Sequence, residues 1–186
     1  MPLLQTLVII HCPDIVIVTE TWAAPYVSDS KLSILGYAII RNDRHEGRCG
    51  GSCIYVKLPL TFFPLDYRQF TAEGESCWLR VVLKDNYSLL VGSVYHPSNV
   101  SEDYNLCLSL AFHTAADLNL KYCLIAGDFN LPEVRWFLTS GPAKFEVLLE
   151  AIDIGMWDEE VDFPPEDQTY LILFFVEVVS HCQCHL

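Results

Sequence analysis

The stretch CLIAGDFNLP, residues 123–132, joins a strongly apolar run to a glycine and then to two polar residues, Asp128 and Asn130. An apolar run of this length that is bounded by turn residues predicts a strand buried on both faces. If the backbone is still extended where the strand ends, Asp128 and Asn130 share one side and Phe129 turns into the core. Two oxygen-bearing side chains would then face one small volume.

A simpler interpretation of the same residues needs no function. Asp and Asn are common turn formers because their side chains bond to nearby backbone groups. A Gly-Asp-x-Asn sequence after a strand can therefore be a turn and nothing more. The rest of the sequence has to decide between a turn and a site.

Composition indicates one globular domain. The chain has 186 residues, and 52% of them are hydrophobic, which is enough to bury a real core. No apolar run reaches the roughly 18 residues of a membrane helix, and the start, MPLLQTLVIIHCPD, lacks the features of a signal peptide. Most of the eight cysteines lie in apolar strand-like segments. These features favour a reduced intracellular setting, nuclear or cytoplasmic.

The chain ends in HCQCHL, which brings together ligands that soft metals prefer, namely His181, Cys182, Cys184 and His185. Their Cys-x-Cys spacing is not that of the usual zinc knuckles, and the last residues of a chain are usually frayed. An ordinary chain end is favoured over a structural metal here.

The net charge of −13 is unevenly distributed. Residues 1–84 carry eight basic and eight acidic side chains, whereas residues 85–186 carry three basic and sixteen acidic ones. A phosphate-binding surface would therefore come from the first half of the chain, around Arg41, Arg44, Arg48 and Lys57. The arginines could equally form a solvated loop. This charge distribution counts against strong nucleic-acid binding.

Local patterns predict strands in runs that are broken by helices. Strands are predicted at residues 14–19, 36–41, 50–57, 77–84 and 87–95. A tight Asp85-Asn86 turn between the last two suits a hairpin. Helices are predicted over residues 3–10, 101–118 and, near the end, 143–152. The pattern is typical of an α/β (α+β) layered sheet protein. After Ile152 the sequence becomes acidic, and TYLILFFVEVV is again of strand type.

Three of these strand-like segments end in polar residues. IVIVTETW reaches Glu20, VGSVYHPSN reaches Tyr95, and CLIAGDFN reaches Asp128 and Asn130. Strands that finish in polar residues place those residues along one edge of a sheet when the strands lie side by side. We therefore expect two carboxylates, a phenol and an amide to converge.

Five ordered blocks resemble the endonuclease/exonuclease/phosphatase superfamily, and most closely the apurinic-type endonuclease domain of non-LTR (LINE-like) retrotransposons. The blocks are PDIVIVTETW, RNDRHEGRCGGSCIYV, ESCWLRV, VGSVYHPSN and LIAGDFNLP, spread over roughly residues 10–150. The resemblance implies a sandwich of two facing sheets, incomplete here. It also implies a domain over residues 1–155 that is followed by a divergent acidic and apolar tail over residues 156–186.

The resemblance further implies roles for single residues. Glu20 matches the glutamate that holds the catalytic Mg²⁺, for which Mn²⁺ is a possible substitute. Asp128 matches the aspartate that orients or deprotonates the attacking water, and Asn130 matches its partner at the metal-bound phosphate. Tyr95 matches a tyrosine that contacts the scissile phosphate. The candidates for substrate binding are Arg41 and Arg44. Without a site, Glu20 is a polar strand end and Tyr95 a half-buried aromatic residue.

The sequence also departs from the family pattern. The family begins with a strand that bears a metal-site Asn, whereas this chain starts in what resembles the helix after it. The family ends with a Ser-Asp-His motif whose His is central to catalysis. No Ser-Asp-His occurs here, and His181 follows Ser180 without the Asp. The pattern predicts a catalytically impaired fragment that is truncated at both ends.

The expected parent activity is Mg²⁺-dependent hydrolysis of a DNA phosphodiester that nicks a target site. The resemblance implies DNA as the partner in the parent family and a reverse transcriptase domain in the intact element. The lack of a membrane-length apolar run predicts no membrane partner, and the charge distribution predicts weak or absent DNA binding by this chain. One alternative is a non-catalytic remnant or binding domain from a decayed element. Another is a different branch of the superfamily, such as an inositol-phosphate or sphingomyelin phosphodiesterase. The TETW and YHPSN segments favour the retrotransposon branch.

Overall fold

Two β-sheets face each other, and helices lie on their outer faces. The computed structural model describes residues 2–44, 50–71, 76–97, 101–159 and 172–177. The helices are α1 (Pro2–His11), α2 (Asp29–Leu32), α3 (Arg68–Thr71), α4 (Glu102–Asp117) and α5 (Glu146–Ile154). The strands are β1 (Ile15–Thr19), β2 (Tyr37–Asn42), β3 (Ser52–Lys57), β4 (Phe62–Pro64), β5 (Ser76–Val82), β6 (Ser88–Tyr95), β7 (Tyr122–Asp128), β8 (Asp158–Glu159) and β9 (Ile172–Glu177).

The smaller sheet has three strands in the order β1-β3-β2, and both pairings are antiparallel. Its central strand, β3, alternates between two environments, as the twofold period of a strand requires. Ile54 and Val56 face the other sheet, whereas Cys53 and Tyr55 face α1. This alternation fixes the register, because a slip by one residue would exchange the two faces.

The larger sheet has six strands in the order β4-β5-β6-β7-β9-β8. Its β6–β7 pair is parallel and its other pairs are antiparallel. Parallel neighbours need a crossover connection, and α4 supplies it by returning the chain from the end of β6 to the start of β7. The carboxyl ends of β6 and β7 therefore lie side by side.

Apolar packing holds the layers together. Between the sheets, Ile54 and Val56 of β3 pack with Leu79, Val81 and Val91 of the larger sheet. Burying one such side chain stabilises the fold by about 1.5–3 kcal/mol. The outer face of the larger sheet packs on α4 and α5 in the largest cluster, which includes Trp78, Phe112, Ile125, Phe129 and Leu148.

The predicted fold class, an α/β sandwich of two layered sheets, is confirmed. Each predicted strand and helix is present with its ends moved by a few residues at most. The predicted Asp85-Asn86 turn is also confirmed, with φ of 59° at Asp85 and 62° at Asn86. Positive φ at both central residues is what tight hairpin turns require, and Asp and Asn tolerate it.

Part of the tail belongs to the larger sheet. The strand-type run predicted there contains β9, which pairs antiparallel with β7 from Gly127↔Ile172 to Tyr122↔Glu177. The short strand β8 then pairs with β9. The division of the chain at residue 155 stays a prediction.

Within the described ranges, none of the helices combines the length and apolarity that crossing a membrane demands.

Candidate active site

Three strand ends meet at one edge of the sandwich. The parallel pairing of β6 and β7 places Tyr95 directly opposite Asp128. Strand β1 of the smaller sheet contacts both β6 and β7, and Glu20 follows it immediately. The Tyr95 hydroxyl donates a hydrogen bond of 2.6 Å to Glu20 Oε1. The structure thus brings Glu20, Tyr95 and Asp128 together from three separate segments.

Gly127 explains why a glycine precedes Asp128. Its φ is 150°, and a Cβ at this position would overlap the carbonyl oxygen of Val94 in β6. Only a residue without a side chain lets the two backbones approach so closely. One residue further on, His96 N donates to Asp128 O at 2.7 Å and extends the pairing beyond the strands. The close approach at Gly127 and the hydrogen bond from His96 together hold the backbone of Asp128 against β6 and the residue that follows it.

Asp128 and Asn130 form both a turn and part of the edge. Asn130 N donates to Asp128 Oδ1 at 3.1 Å, which is the local bond that a turn interpretation expects. Asn130 has a φ of 45°, and its Nδ2 donates to His96 O at 3.0 Å. Phe129 is fully buried, which confirms its predicted inward direction. The turn bonds hold the two polar side chains where the strand ends.

The electrostatics of Asp128 reflect its surroundings. Burial raises the pKa of its carboxyl group, and the negative charge of Glu20 raises that pKa further. The hydrogen bonds from Asn130 act in the opposite direction. A second negative charge at short range disfavours ionisation. The pair of carboxylates therefore favours either a proton or a cation between them.

A strained loop carries Glu20. Glu20 has a φ of 50° and Trp22 a φ of 51°, and such values are uncommon for residues other than glycine. Thr21 N donates to Gly51 O at 3.3 Å, and Trp22 N donates to Gly50 O at 3.1 Å. The Gly50-Gly51 pair therefore holds the loop that presents Glu20, in addition to turning the chain into β3.

Three supporting residues were not predicted from the sequence. The His96 ring is 2% exposed, and its Nε2 lies 2.8 Å from Asn105 Oδ1 on α4. Burial lowers the pKa of His96. Tyr104, also on α4, donates from its hydroxyl to Tyr95 O at 2.5 Å. No local pattern marks Tyr104 and Asn105, because they act on residues of another element.

The two arginines predicted to bind substrate lie at the end of β2 and just beyond it. The guanidinium of Arg41 contacts Asp29 Oδ1 through Nε at 2.8 Å and Asp43 Oδ2 through Nη1 at 3.1 Å. Its Nη2 donates to Val27 O at 2.5 Å. These contacts tie β2 to the segment after the Glu20 loop. Arg44 is half-buried, and its backbone nitrogen lies near Gly51.

Arg41 also borders a cavity of about 280 Å³ beside Glu20. Asp43, Cys53 and Tyr55 contribute to its wall. The contacts of Arg41 are with two carboxylates and one backbone carbonyl, and its role in substrate binding stays a prediction.

In the part of the chain that the structure describes, no group of three or more His, Cys, Asp or Glu side chains is arranged to hold a metal. The cysteine and histidine tail of residues 181–185 lies outside the described residues, and so does His181 as an alternative catalytic histidine. At the strand ends, the oxygen atoms that could bind a cation are those of the Glu20 and Asp128 carboxylates and of the Asn130 amide.

Comparison with known proteins agrees with this architecture. The family described as the Endonuclease/Exonuclease/phosphatase family matches residues 5–170. A search of curated proteins gave no significant match.

Solved structures share the fold at low identity. The endonuclease domain of TRAS1, a telomere-specific non-LTR retrotransposon, is 15% identical with a TM-score of 0.67, over 94% of this chain and 77% of that chain. The AP endonuclease LMAP from Leishmania major is 14% identical with a TM-score of 0.69, over 94% and 73%. The human Nocturnin catalytic domain is 12% identical with a TM-score of 0.61, over 94% and 73%.

The predicted resemblance to the superfamily is confirmed. Because the family match covers most of the sequence and the fold agrees with it, the chain belongs to the endonuclease/exonuclease/phosphatase family.

Proposed function

We propose that this edge is a divalent-cation-dependent phosphodiester hydrolysis site of the retrotransposon endonuclease type, with DNA as its substrate and an impaired acid–base step. The observation that carries the proposal is the 2.6 Å hydrogen bond from the Tyr95 hydroxyl to Glu20, with Asp128 in register beside Tyr95. Two carboxylates and a phenol then face one position, which is the donor set that a phosphate bound through a cation needs.

The residues fit a hard divalent cation. The family is generally dependent on divalent metal ions. In this chain the charge of Glu20 and burial together raise the pKa of Asp128, so a cation placed between the carboxylates would remove an existing repulsion. Glu20 and Asp128 would hold it through oxygen atoms, and Mg²⁺, or Mn²⁺ in its place, is the ion that such donors suit. When bound, the ion supplies positive charge against the charge that develops on the phosphoryl oxygens.

The chain's own residues would do the rest. Asp128 accepts a proton from the attacking water, and the hydrogen bond from Asn130 N to Oδ1 fixes the direction of its carboxylate. Tyr95 is 6% exposed, so little of its side chain can move. Its hydroxyl donates to Glu20 in this structure, and with Glu20 bound to a cation its one proton would be free to hydrogen-bond a phosphoryl oxygen. Asn130 donates from Nδ2 to His96 O, which leaves its carbonyl oxygen directed to other partners at the edge.

The leaving oxygen still needs a proton. No Ser-Asp-His sequence occurs in the chain, and His96, the histidine that lies next to Tyr95, is buried against Asn105 and Tyr104. Loss of a general acid lowers rates by about a hundredfold to ten-thousandfold. We therefore propose that the chain still binds the cation and the substrate but turns the substrate over slowly.

The TETW and YHPSN segments support the retrotransposon branch, and the fold, which is shared alike with the TRAS1 endonuclease domain and the AP endonuclease LMAP, is compatible with it. A partner reverse transcriptase domain belongs to this proposal. A binding domain without catalysis is the alternative that the missing Ser-Asp-His favours.

Calorimetric titration with Mg²⁺ tests the cation site. We expect binding to wild type and its loss in a Glu20→Gln, Asp128→Asn double variant. Asp85→Asn is the matched control, because Asp85 lies in the hairpin at the opposite end of β6. Equal Mg²⁺ affinity in all three proteins would exclude this edge as the cation site.

Nicking of supercoiled plasmid in Mg²⁺ tests turnover. We expect the wild-type rate to stay within the background of Asp128→Ala. Fast nicking that Asp128→Ala abolishes would support the hydrolytic site and overturn the impaired acid–base step. Fast nicking that survives Asp128→Ala would place the chemistry elsewhere.

A further inference from the structure

The loop after β1 exposes two aromatic side chains. Trp22 is 66% exposed and Tyr26 is 89% exposed. The other tryptophans differ, since Trp78 and Trp157 are buried and Trp136 is half-buried against the core. Aromatic side chains stabilise a fold most when other groups cover their faces. Two uncovered aromatic side chains in one short segment therefore indicate a surface that binds another molecule.

The loop that carries them is held in place. Ala23, between the two aromatic residues, is 8% exposed and anchors the segment in the interior. Val27 N donates to Ala24 O at 2.8 Å, which closes a turn around Tyr26. The Nη2 atom of Arg41 donates to Val27 O at 2.5 Å. The aromatic side chains therefore project from a fixed backbone.

The backbone at Trp22 is also strained. Its φ of 51° is unusual for a bulky residue, and such a conformation persists only where the surrounding structure imposes it. The hydrogen bond from Trp22 N to Gly50 O at 3.1 Å imposes this one. Strain of this kind is concentrated at binding sites. The position of Trp22 matters as well, because it lies two residues from Glu20.

Charge limits what can hold a nucleic acid near this loop. The chain carries a net charge of −13, so its overall field repels phosphate. Arg41, the cation that contacts the loop, is already engaged by Asp29 and Asp43. Stacking on aromatic side chains is the other component of single-strand binding beside a positively charged groove, and it acts on the bases and not on the phosphates.

We propose that Trp22 and Tyr26 form a stacking platform for unpaired DNA bases next to the phosphodiester held at the Glu20 edge. The proposal rests on the proposed function, and it narrows the substrate to single-stranded or locally unpaired DNA. Bases inside an intact duplex have both faces covered by their neighbours, so they cannot stack on a side chain without leaving the helix. Trp22 and Tyr26 would then position the strand while Glu20, Tyr95 and Asp128 face the phosphate.

The test measures binding in EDTA, so that it is independent of the cation and of hydrolysis. A fluorescein-labelled single strand and a fully paired duplex of the same sequence are titrated with the intact chain, with anisotropy as the readout. Quenching of tryptophan emission by unlabelled strands gives a second signal, because Trp22 is the most exposed of the four tryptophans. We expect the single strand to bind more tightly and to quench the emission.

The variants are Trp22→Ala, Tyr26→Ala and Trp22→Phe. Each alanine variant should bind the single strand about fivefold to a hundredfold more weakly, which is the effect that removing one stacking partner has. Trp22→Phe keeps an aromatic face and should retain most of the binding. The matched control is Tyr87→Ala, because Tyr87 is 44% exposed and lies beside the opposite end of β6. Thermal unfolding of each variant shows that the fold is retained.

Unchanged binding by both alanine variants would overturn the platform. So would equal or tighter binding of the duplex by wild type, or no measurable binding of the single strand. Failure of the proposed function is a different result: equal Mg²⁺ affinity in wild type and in the Glu20→Gln, Asp128→Asn variant, while the single strand still binds in EDTA.

Discussion

The two halves of the candidate site are built differently. Tyr95 and Asp128 end neighbouring parallel strands inside a six-stranded sheet, and the ladder between β6 and β7 fixes their relative position. Glu20 follows an edge strand of the smaller sheet and is carried by a loop with positive φ. The first half is therefore a consequence of the core. The second half depends on packing between sheets and on a few loop hydrogen bonds, so it can be lost while the fold persists.

The largest expected effect lies in the first half, at Gly127. We expect Gly127→Ala to lower the free energy of unfolding by about 3 kcal/mol or more, because the new Cβ overlaps Val94 O and the backbone conformation disfavours a side chain. Urea unfolding measures this. Gly36→Ala is the control, since Gly36 also has a positive φ, 85°, but open space around it. Equal losses at both positions would mean that the close approach of β6 and β7 is unimportant.

Breaking the hydrogen bond that links the two halves should have a smaller effect. A double-mutant cycle with Tyr95→Phe and Glu20→Ala should give a coupling free energy of about 0.5–1.5 kcal/mol, since one hydrogen bond joins the sheets here. Both single variants should keep the fold, as judged by unchanged denaturant dependence. Additive effects of the two substitutions would show that Glu20 and Tyr95 do not interact in solution.

Acidity gives a finer test within the first half. The pKa of Asp128 is raised in the folded protein, so the folded state binds its proton more tightly than the unfolded state does. The resulting stability is present below the unfolded pKa of about 3.9 and is lost as the pH rises through the raised folded pKa.

Without Mg²⁺, Asp128→Asn should therefore gain melting temperature over wild type as the pH rises from acid to neutral. We expect the gain at neutral pH to stay below about 4 °C, because solvent screens a half-buried pair and about 1 kcal/mol shifts the melting temperature of a domain of this size by about 2–4 °C. Melting curves across the pH range check it. A gain that shrinks with rising pH would mean that folding lowers the pKa of Asp128 instead of raising it.

The smallest expected effect lies in the support of the second half. Asp29 is 65% exposed in its ion pair with Arg41, so Asp29→Ala should change the free energy of unfolding by less than about 1 kcal/mol. Asp43, whose side chain is 8% exposed in its own pair with Arg41, is the comparison. Asp43→Ala should cost more, because the Asp43 side chain is far less exposed and solvent screens its ion pair with Arg41 less. Chemical denaturation measures the free energy of unfolding of both variants. Equal losses would mean that burial does not affect the strength of these ion pairs.

Sequence patterns predicted most of the local structure. Apolar runs predict β3, β5, β6 and β7, because a strand buried on both faces has few polar positions. Asp85 and Asn86 predict their own turn, since both tolerate positive φ. The strands β4 and β8 were not predicted, because they are three and two residues long and carry too little pattern.

The residues of the candidate site could be predicted for a different reason. Glu20, Tyr95 and Asp128 each follow or end a strand in the sequence, so their meeting follows once the strands are neighbours. Their supports could not be predicted in this way. The partners of Arg41 lie on separate segments, and Asn105 reaches His96 from a helix whose own pattern gives no reason for an asparagine there.

By itself, the sequence determined which of the longer segments become strands, where the hairpin turns, and that Phe129 points inward while Asp128 and Asn130 stay at the strand end. These features depend on side-chain period and backbone preference, which act over a few residues. Only the tertiary structure decided that β1 crosses β6 and β7, that the Tyr95 hydroxyl meets a carboxylate 75 residues away, and that Trp22 faces outward. Those features arise from contacts between layers, and no local interaction specifies which layer a segment will meet.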